Sequence, residues 1–128
     1  MSVELTMLLY STALYFLLIM IPASEAILAN GVATQAGARD QLPEPTMFNR
    51  RAVRLRNNML ENMVIFTALV VIVQLSESHS SATAQGAQIF FWARAAHAVT
   101  YLAGWPWIRP VCWAVSVVGM AMMAVSLF

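Results

Sequence analysis

Long apolar runs, broken by short polar segments, dominate the chain. An α-helix rises ~1.5 Å per residue, so about 20 mostly apolar residues cross a bilayer. Four segments meet that measure, at about 4–29, 47–76, 84–103 and 109–127. The first reads "ELTMLLYSTALYFLLIMIPASEAILA". The second begins polar and turns apolar at Met63; the third contains "GAQIFFWARAAHAVTYLA" and the fourth "PVCWAVSVVGMAMMAVSL". The pattern predicts an all-α fold, an integral membrane four-helix bundle forming a single domain over residues 1–128. Pro22 falls inside the first span, where a missing donor and a crowding ring predict a kink. Between the spans, "NGVATQAGARDQLPEPT" is expected to be a loop, with Gly31, Gly37, Pro43 and Pro45 as breakers. "SESHSSATAQ" is a second, polar loop, and "GWPWIR" a tight turn whose tryptophans suit a membrane interface. Glu4 and the absence of a basic n-region favour a retained spanning helix over a cleaved leader.

Composition agrees. The chain is 60% hydrophobic and 10% charged, against about a quarter charged in a soluble domain, so polar residues are too few to cover a globule. A net charge of +1 gives no reason to expect nucleic acid as a partner. All seven basic residues are arginines. Arg39, Arg50, Arg51, Arg54 and Arg56 lie in the first loop or just after it, and Arg109 follows the third; the second loop and both termini have none. The positive-inside tendency therefore puts loops one and three in the cytoplasm and both termini on the other side. The lone Cys112 lies in an apolar run and is expected to be a small buried or lipid-facing hydrophobe. Glu25 is expected to pair with loop-one arginines, Asp40 to form a loop ion pair or helix cap, and His79 to be solvated. The nine methionines read as packing.

Two stripes of polar residues interrupt this apolar background. At ~100° per residue, Arg54, Asn58 and Glu61 lie within about 60° of one another on the second helix, with Arg50 in line and Asn57 beside them. Arg56 points elsewhere. On the third helix, Arg94, His97 and Tyr101 also lie within about 60°. Each stripe covers about 10 Å of axis, a length that suits an extended tripeptide better than a single ion. Ionisable groups inside a membrane persist when they pair, face a polar cavity, or work. Arg54–Glu61 or Glu61–Arg94 pairs could knit the bundle together. However, Arg54, Arg94 and Arg109 outnumber the one glutamate, and excess donors favour an anionic ligand. His97 could be a packed histidine or a ligand contact. No metal site is expected, because no second His, Cys or carboxylate follows it by three or four residues.

These stripes, in this order and in a chain of this size, resemble the MAPEG family, the membrane-associated proteins in eicosanoid and glutathione metabolism. The resemblance rests on "RAVRLRNNMLEN", with Arg54, Asn58 and Glu61, and on "ARAAHAVTYLAGWPWIR", with Arg94, His97, Tyr101 and Arg109. The loop "GARDQLPEPT" is similar to that of small bacterial members, which implies a bacterial inner membrane. The resemblance covers essentially the whole chain. It implies a left-handed bundle that assembles as a homotrimer in the lipid bilayer. Glutathione would be held between subunits near the cytoplasmic face by Arg54, Asn58, Glu61, Arg94, His97 and Tyr101, with Arg109 as thiol activator. A glutathione transferase or peroxidase acting on a hydrophobic small-molecule electrophile is the implied activity.

The chain departs from the family pattern in two places. Where some members have an arginine at the end of the first helix, this chain reads "SEAILANG". The interval from Tyr101 to Arg109 is slightly different, and Pro110 follows the arginine, as befits a helix start. A non-catalytic bundle with the family fold and a small four-span transporter using Glu25 are the alternatives.

Overall fold

A computed structural model describes residues 1–128. Five helices follow in order, α1 (Val3–Asn30), α2 (Val32–Ala36), α3 (Met47–Leu75), α4 (Ser81–Ala103) and α5 (Ile108–Val125). Local chemistry sets their ends. The Ser2 hydroxyl accepts the Leu5 amide at 3.2 Å to cap α1, and Thr46 caps α3 by accepting from the Asn49 amide at 3.0 Å. Ser80 and Thr83 form a reciprocal capping box, so α4 starts at Ser81, ahead of the expected 84. Gly104 ends α4 in the left-handed conformation, φ 77°, open to glycine without strain. Pro110 falls in the first turn of α5, where its missing donor costs no intrahelical bond.

The four long helices pack side by side. Aromatic stacking of Phe66 on Phe90, centroids 3.9 Å apart, joins α3 to α4 at the centre of the core. α4 and α5 meet through glycines. A Cβ on Gly86 would lie 2.6 Å from the Gly119 carbonyl oxygen, and one on Gly119 2.6 Å from that of Gly86, so each backbone occupies the other's side-chain space. Only 27 of the 128 residues are buried. Leu9, Phe16, Val64, Ile72, Trp92 and Val118 face outward, the reverse of a soluble bundle, and suit a lipid surround. Three helices, α1, α3 and α5, are long and apolar enough to cross a membrane. The expected third span lies in α4, which has the length but is diluted by Gln85, Gln88, Arg94, His97 and Thr100.

Several expectations need correction. The first loop contains α2, a single helical turn and a little more between Gly31 and Gly37. Glu25 pairs with no arginine; its carboxylate accepts from the Thr46 hydroxyl at 2.7 Å and from Asn49 Nδ2 at 2.6 Å. Asn49 Nδ2 also donates to the Pro22 carbonyl at 3.0 Å, and the set ties α1 to the start of α3. Asp40 neither caps a helix nor pairs; Thr46 is the cap, and the loop's ion pair is Arg50–Glu44 at 2.5 Å. At the opposite end of the bundle, His79 is no free solvated side chain. Its Nδ1 lies 3.4 Å from the buried carboxylate of Glu4, which also accepts from the Thr83 hydroxyl. Gln74 Nε2 donates to Ser2 Oγ at 2.6 Å beside this cluster.

Candidate functional site

Helix α3 runs toward the Glu4 end and α4 returns, so the polar start of α3 stands beside the end of α4 and the start of α5. Two adjoining hollows open there. The smaller, about 130 Å³, is lined by Arg51 and Arg54 of α3, Thr100 and Tyr101 of α4, Gly104–Pro106 of the connecting turn, and Arg109 of α5. The larger, about 320 Å³, is lined by Asn58, His97, Tyr101, Arg109, Pro110 and Trp113. That volume is at the lower end of the range for small-ligand cavities. Tyr101 and Arg109 belong to both, so the hollows form one continuous wall.

The guanidinium of Arg109 sits over the Tyr101 ring, 4.9 Å from its centroid. A cation held on an aromatic face at an exposed site gains roughly 0.5–1 kcal/mol, which restricts where the arginine head points. His97 meets the edge of the same ring, centroids 5.4 Å apart. Arg109 is also the second residue of α5, whose N-terminal dipole adds positive potential. Below this layer lies Arg94, 1% exposed. Its Nη2 donates to Asn58 Oδ1 at 2.7 Å, and its Nε approaches the Met59 sulfur at 3.3 Å.

Of the residues singled out by sequence, Arg54, Asn58, His97, Tyr101 and Arg109 line these hollows. Arg94 lines neither and lies behind Asn58. Glu61 is exposed on α3 outside both. Neither Arg54–Glu61 nor Glu61–Arg94 forms within the chain; the arginine ion pair present is Arg50–Glu44, and His79 lies beside the Glu4 carboxylate. His97 is packed, 2% exposed, but its Nδ1 has no hydrogen-bond partner. Arg50, in line with the α3 stripe, is engaged by Glu44 instead. Sequence reasoning missed Arg51, Thr100, Trp105 and Trp113 as lining residues. Arg51 carried a signal, since it precedes Arg54 by three and so lies about 60° from it. Trp113 follows Arg109 by four, one turn along the same face.

Larger hollows exist on the other side of α3. One of about 400 Å³ lies between α1, α2 and α3, with Arg39 and Arg56 among mostly apolar residues, and one of about 360 Å³ adjoins it. Size does not decide between the two sides. In the larger hollows Glu25, Thr46 and Asn49 bond one another, Arg39 donates to the Gln35 carbonyl and Arg56 to the Asn57 side chain, and only the Gln35 side-chain oxygen is buried without a partner. By contrast, the smaller hollows converge three guanidinium groups, a phenol and an amide with no carboxylate among them. Such a wall donates hydrogen bonds and carries positive charge, and it can bind an anion rich in acceptors. No group of His, Cys, Asp and Glu that could hold a metal ion is present.

Compared with known proteins, the chain matches the model of the MAPEG family over residues 5–128. No curated protein and no solved structure matches the chain.

Proposed function

Because this membrane protein belongs to the MAPEG family, we propose that it is a glutathione-dependent transferase or peroxidase working at the cytoplasmic edge of the bilayer. The convergence of Arg54, Asn58, His97, Tyr101 and Arg109 around adjoining hollows carries this reading. Glutathione is an acidic tripeptide with two carboxylates, and a wall with an excess of donors fits it. When bound it supplies a thiol that, as thiolate, displaces a leaving group from a hydrophobic electrophile or reduces a lipid peroxide.

The protein's own groups do the rest. Arg54, with Arg51 beside it, holds a carboxylate at the mouth. Asn58, His97 and Tyr101 line the deeper part, with Arg94 supporting Asn58 from behind. Arg109, seated on Tyr101, places its positive charge near sulfur. A free thiol has a pKa of about 8.5, so little of it is ionised at neutral pH, and a cation in a poorly hydrated site favours the anion. Glu61 is the one carboxylate of the stripe and suits the ligand's amine. Its place outside the hollows of one chain accords with a site shared between subunits of a homotrimer.

In this reading all four long helices span, and α4 turns its polar face inward. Loops one and three face the cytoplasm, both termini lie on the other side, and the membrane is the bacterial inner membrane. A transporter built on Glu25 finds no support, because that carboxylate is engaged by Thr46 and Asn49.

The test is to titrate glutathione into the detergent-solubilised protein while following ultraviolet thiolate absorbance and turnover of a lipophilic electrophile. Arg109→Ala is expected to remove the absorbance and lower turnover about a hundredfold, the usual scale for losing one charge-stabilising donor, with binding largely kept. Binding without thiolate or turnover in the wild type would leave a non-catalytic member of the family. No binding at all would end the assignment.

A further inference from the structure

Arg94 is the largest fully buried side chain in the protein, yet it lines neither hollow. Its Nη2 is 2.7 Å from Asn58 Oδ1, its Nε 3.3 Å from the Met59 sulfur, and its Nη1 has no partner in the chain. A guanidinium has five N–H donors and no acceptor. Whatever atom of residue 58 faces it must therefore accept, and in an asparagine that is the oxygen. Amide ends are often ambiguous, but a buried arginine resolves this one. Turning the amide over would set two donors against each other and leave a second guanidinium nitrogen buried without an acceptor.

With the oxygen held inward, the NH₂ end must face the other way. Asn58 Nδ2 makes no hydrogen bond within the chain and is not among the buried unpartnered atoms. Asn58 lines the larger hollow with His97, Tyr101 and Arg109. An asparagine could offer a ligand either a donor or an acceptor; this one can offer only a donor.

We propose that Arg94 is a positioning residue: it fixes the Asn58 amide with its NH₂ toward the hollow, so that this wall selects a carboxylate or peptide carbonyl and rejects an ammonium. The nature of the ligand rests on the glutathione reading above; the orientation of Asn58 does not. Arg94 acts through Asn58 and does not touch the ligand.

The experiment uses the full chain in detergent, with Asn58→Asp, Arg94→Lys, Arg94→Gln, and Asn58→Asp combined with Arg94→Gln. Asn58→Asp keeps an oxygen for Arg94 but presents a second, charged oxygen to the hollow. It is expected to unfold at or above the wild-type temperature without ligand, yet to bind glutathione at least about tenfold more weakly, from the lost bond and added repulsion. Arg94→Lys retains a donor and should keep KM for glutathione within about threefold of wild type, whereas Arg94→Gln, which can face residue 58 with either end, should raise KM about threefold to tenfold at unchanged kcat. A purely structural role would instead lower kcat by reducing the active fraction. Wild-type affinity in Asn58→Asp, or a loss in Arg94→Gln confined to kcat, overturns the proposal. If the wild type binds no glutathione, the functional reading fails, and ligand-free unfolding decides the role of Arg94. Asn58→Asp should then leave stability at or above wild type when Arg94 is present but lower it in the Arg94→Gln background, and simple additivity would show that the two residues are not coupled.

Discussion

At the end of the bundle where α1 and α4 begin, the buried Glu4 carboxylate accepts from the Thr83 hydroxyl and lies beside His79. At the other end, buried Arg94 finds one amide oxygen and a thioether, and has an Nη1 with no partner in the chain. Both groups are nearly inaccessible, at 2% and 1% exposure. The difference lies in the balance of donors and acceptors around them. The Glu4 charge has its partners within the chain, and removing a partner from a buried charge is costly. Toward the same end of the bundle Arg51, Arg54, Tyr101 and Arg109 add more donors, and no carboxylate lines the hollows they form. This surplus of donors is the feature on which the glutathione reading rests.

The largest expected effect breaks the scaffold end. Glu4→Ala removes a charged acceptor and leaves the Thr83 hydroxyl without its carboxylate partner, in a place with little access to water. Losing a hydrogen bond to a buried charged group costs about 2–3 kcal/mol. Reversible unfolding in detergent should show that loss, while glutathione affinity at the far end stays at the wild-type value. A stability loss accompanied by an equal loss of affinity would mean that the two ends are coupled and the contrast is false.

How much of this was legible in the sequence follows from what helical periodicity encodes. It gives the azimuth of a side chain on its own helix, so the alignment of Arg54 with Asn58, and of His97 with Tyr101, could be read directly. It does not say which neighbouring helix covers that azimuth. Arg94 shares a stripe with His97 and Tyr101, but α3 closes over it through Asn58 and Met59, whereas Tyr101, nearer the helix end, stays open to the hollows. Glu61 shares the stripe of Arg54 yet lies outside both hollows. The pairing of Glu4 with His79 and Thr83 depends on α1 packing against α4, which no local pattern reports. The same holds for Gly86 and Gly119, whose mutual approach appears only when α4 meets α5. α2 is too short for periodicity to register.

A smaller stability effect, with a large functional one, sharpens the contrast at the donor-rich end. Arg54 is exposed and makes no hydrogen bond or ion pair within the chain. Arg54→Ala should therefore change unfolding free energy by no more than about 0.5 kcal/mol, as for other surface positions. If Arg54 holds a carboxylate of glutathione, calorimetric titration should show affinity falling about tenfold or more, the equivalent of one charge-assisted hydrogen bond. Unchanged affinity would move the carboxylate to Arg51 or Arg109.

The smallest effect separates the two partners of Glu4. His79 Nδ1 lies 3.4 Å from the carboxylate, longer than a good hydrogen bond, and its side chain is 42% exposed. An ion pair with one partner in solvent contributes only about 0.2–1 kcal/mol and is weakened by salt. The Thr83 hydroxyl, wholly buried, has no competing water. His79→Ala should therefore cost well under half of what Glu4→Ala costs, and the difference from wild type should shrink further when unfolding is repeated at high ionic strength. A loss as large as that of Glu4→Ala, insensitive to salt, would make the histidine the main partner of the carboxylate. This end of the bundle would then owe its stability to a titratable pair, not to a neutral hydroxyl.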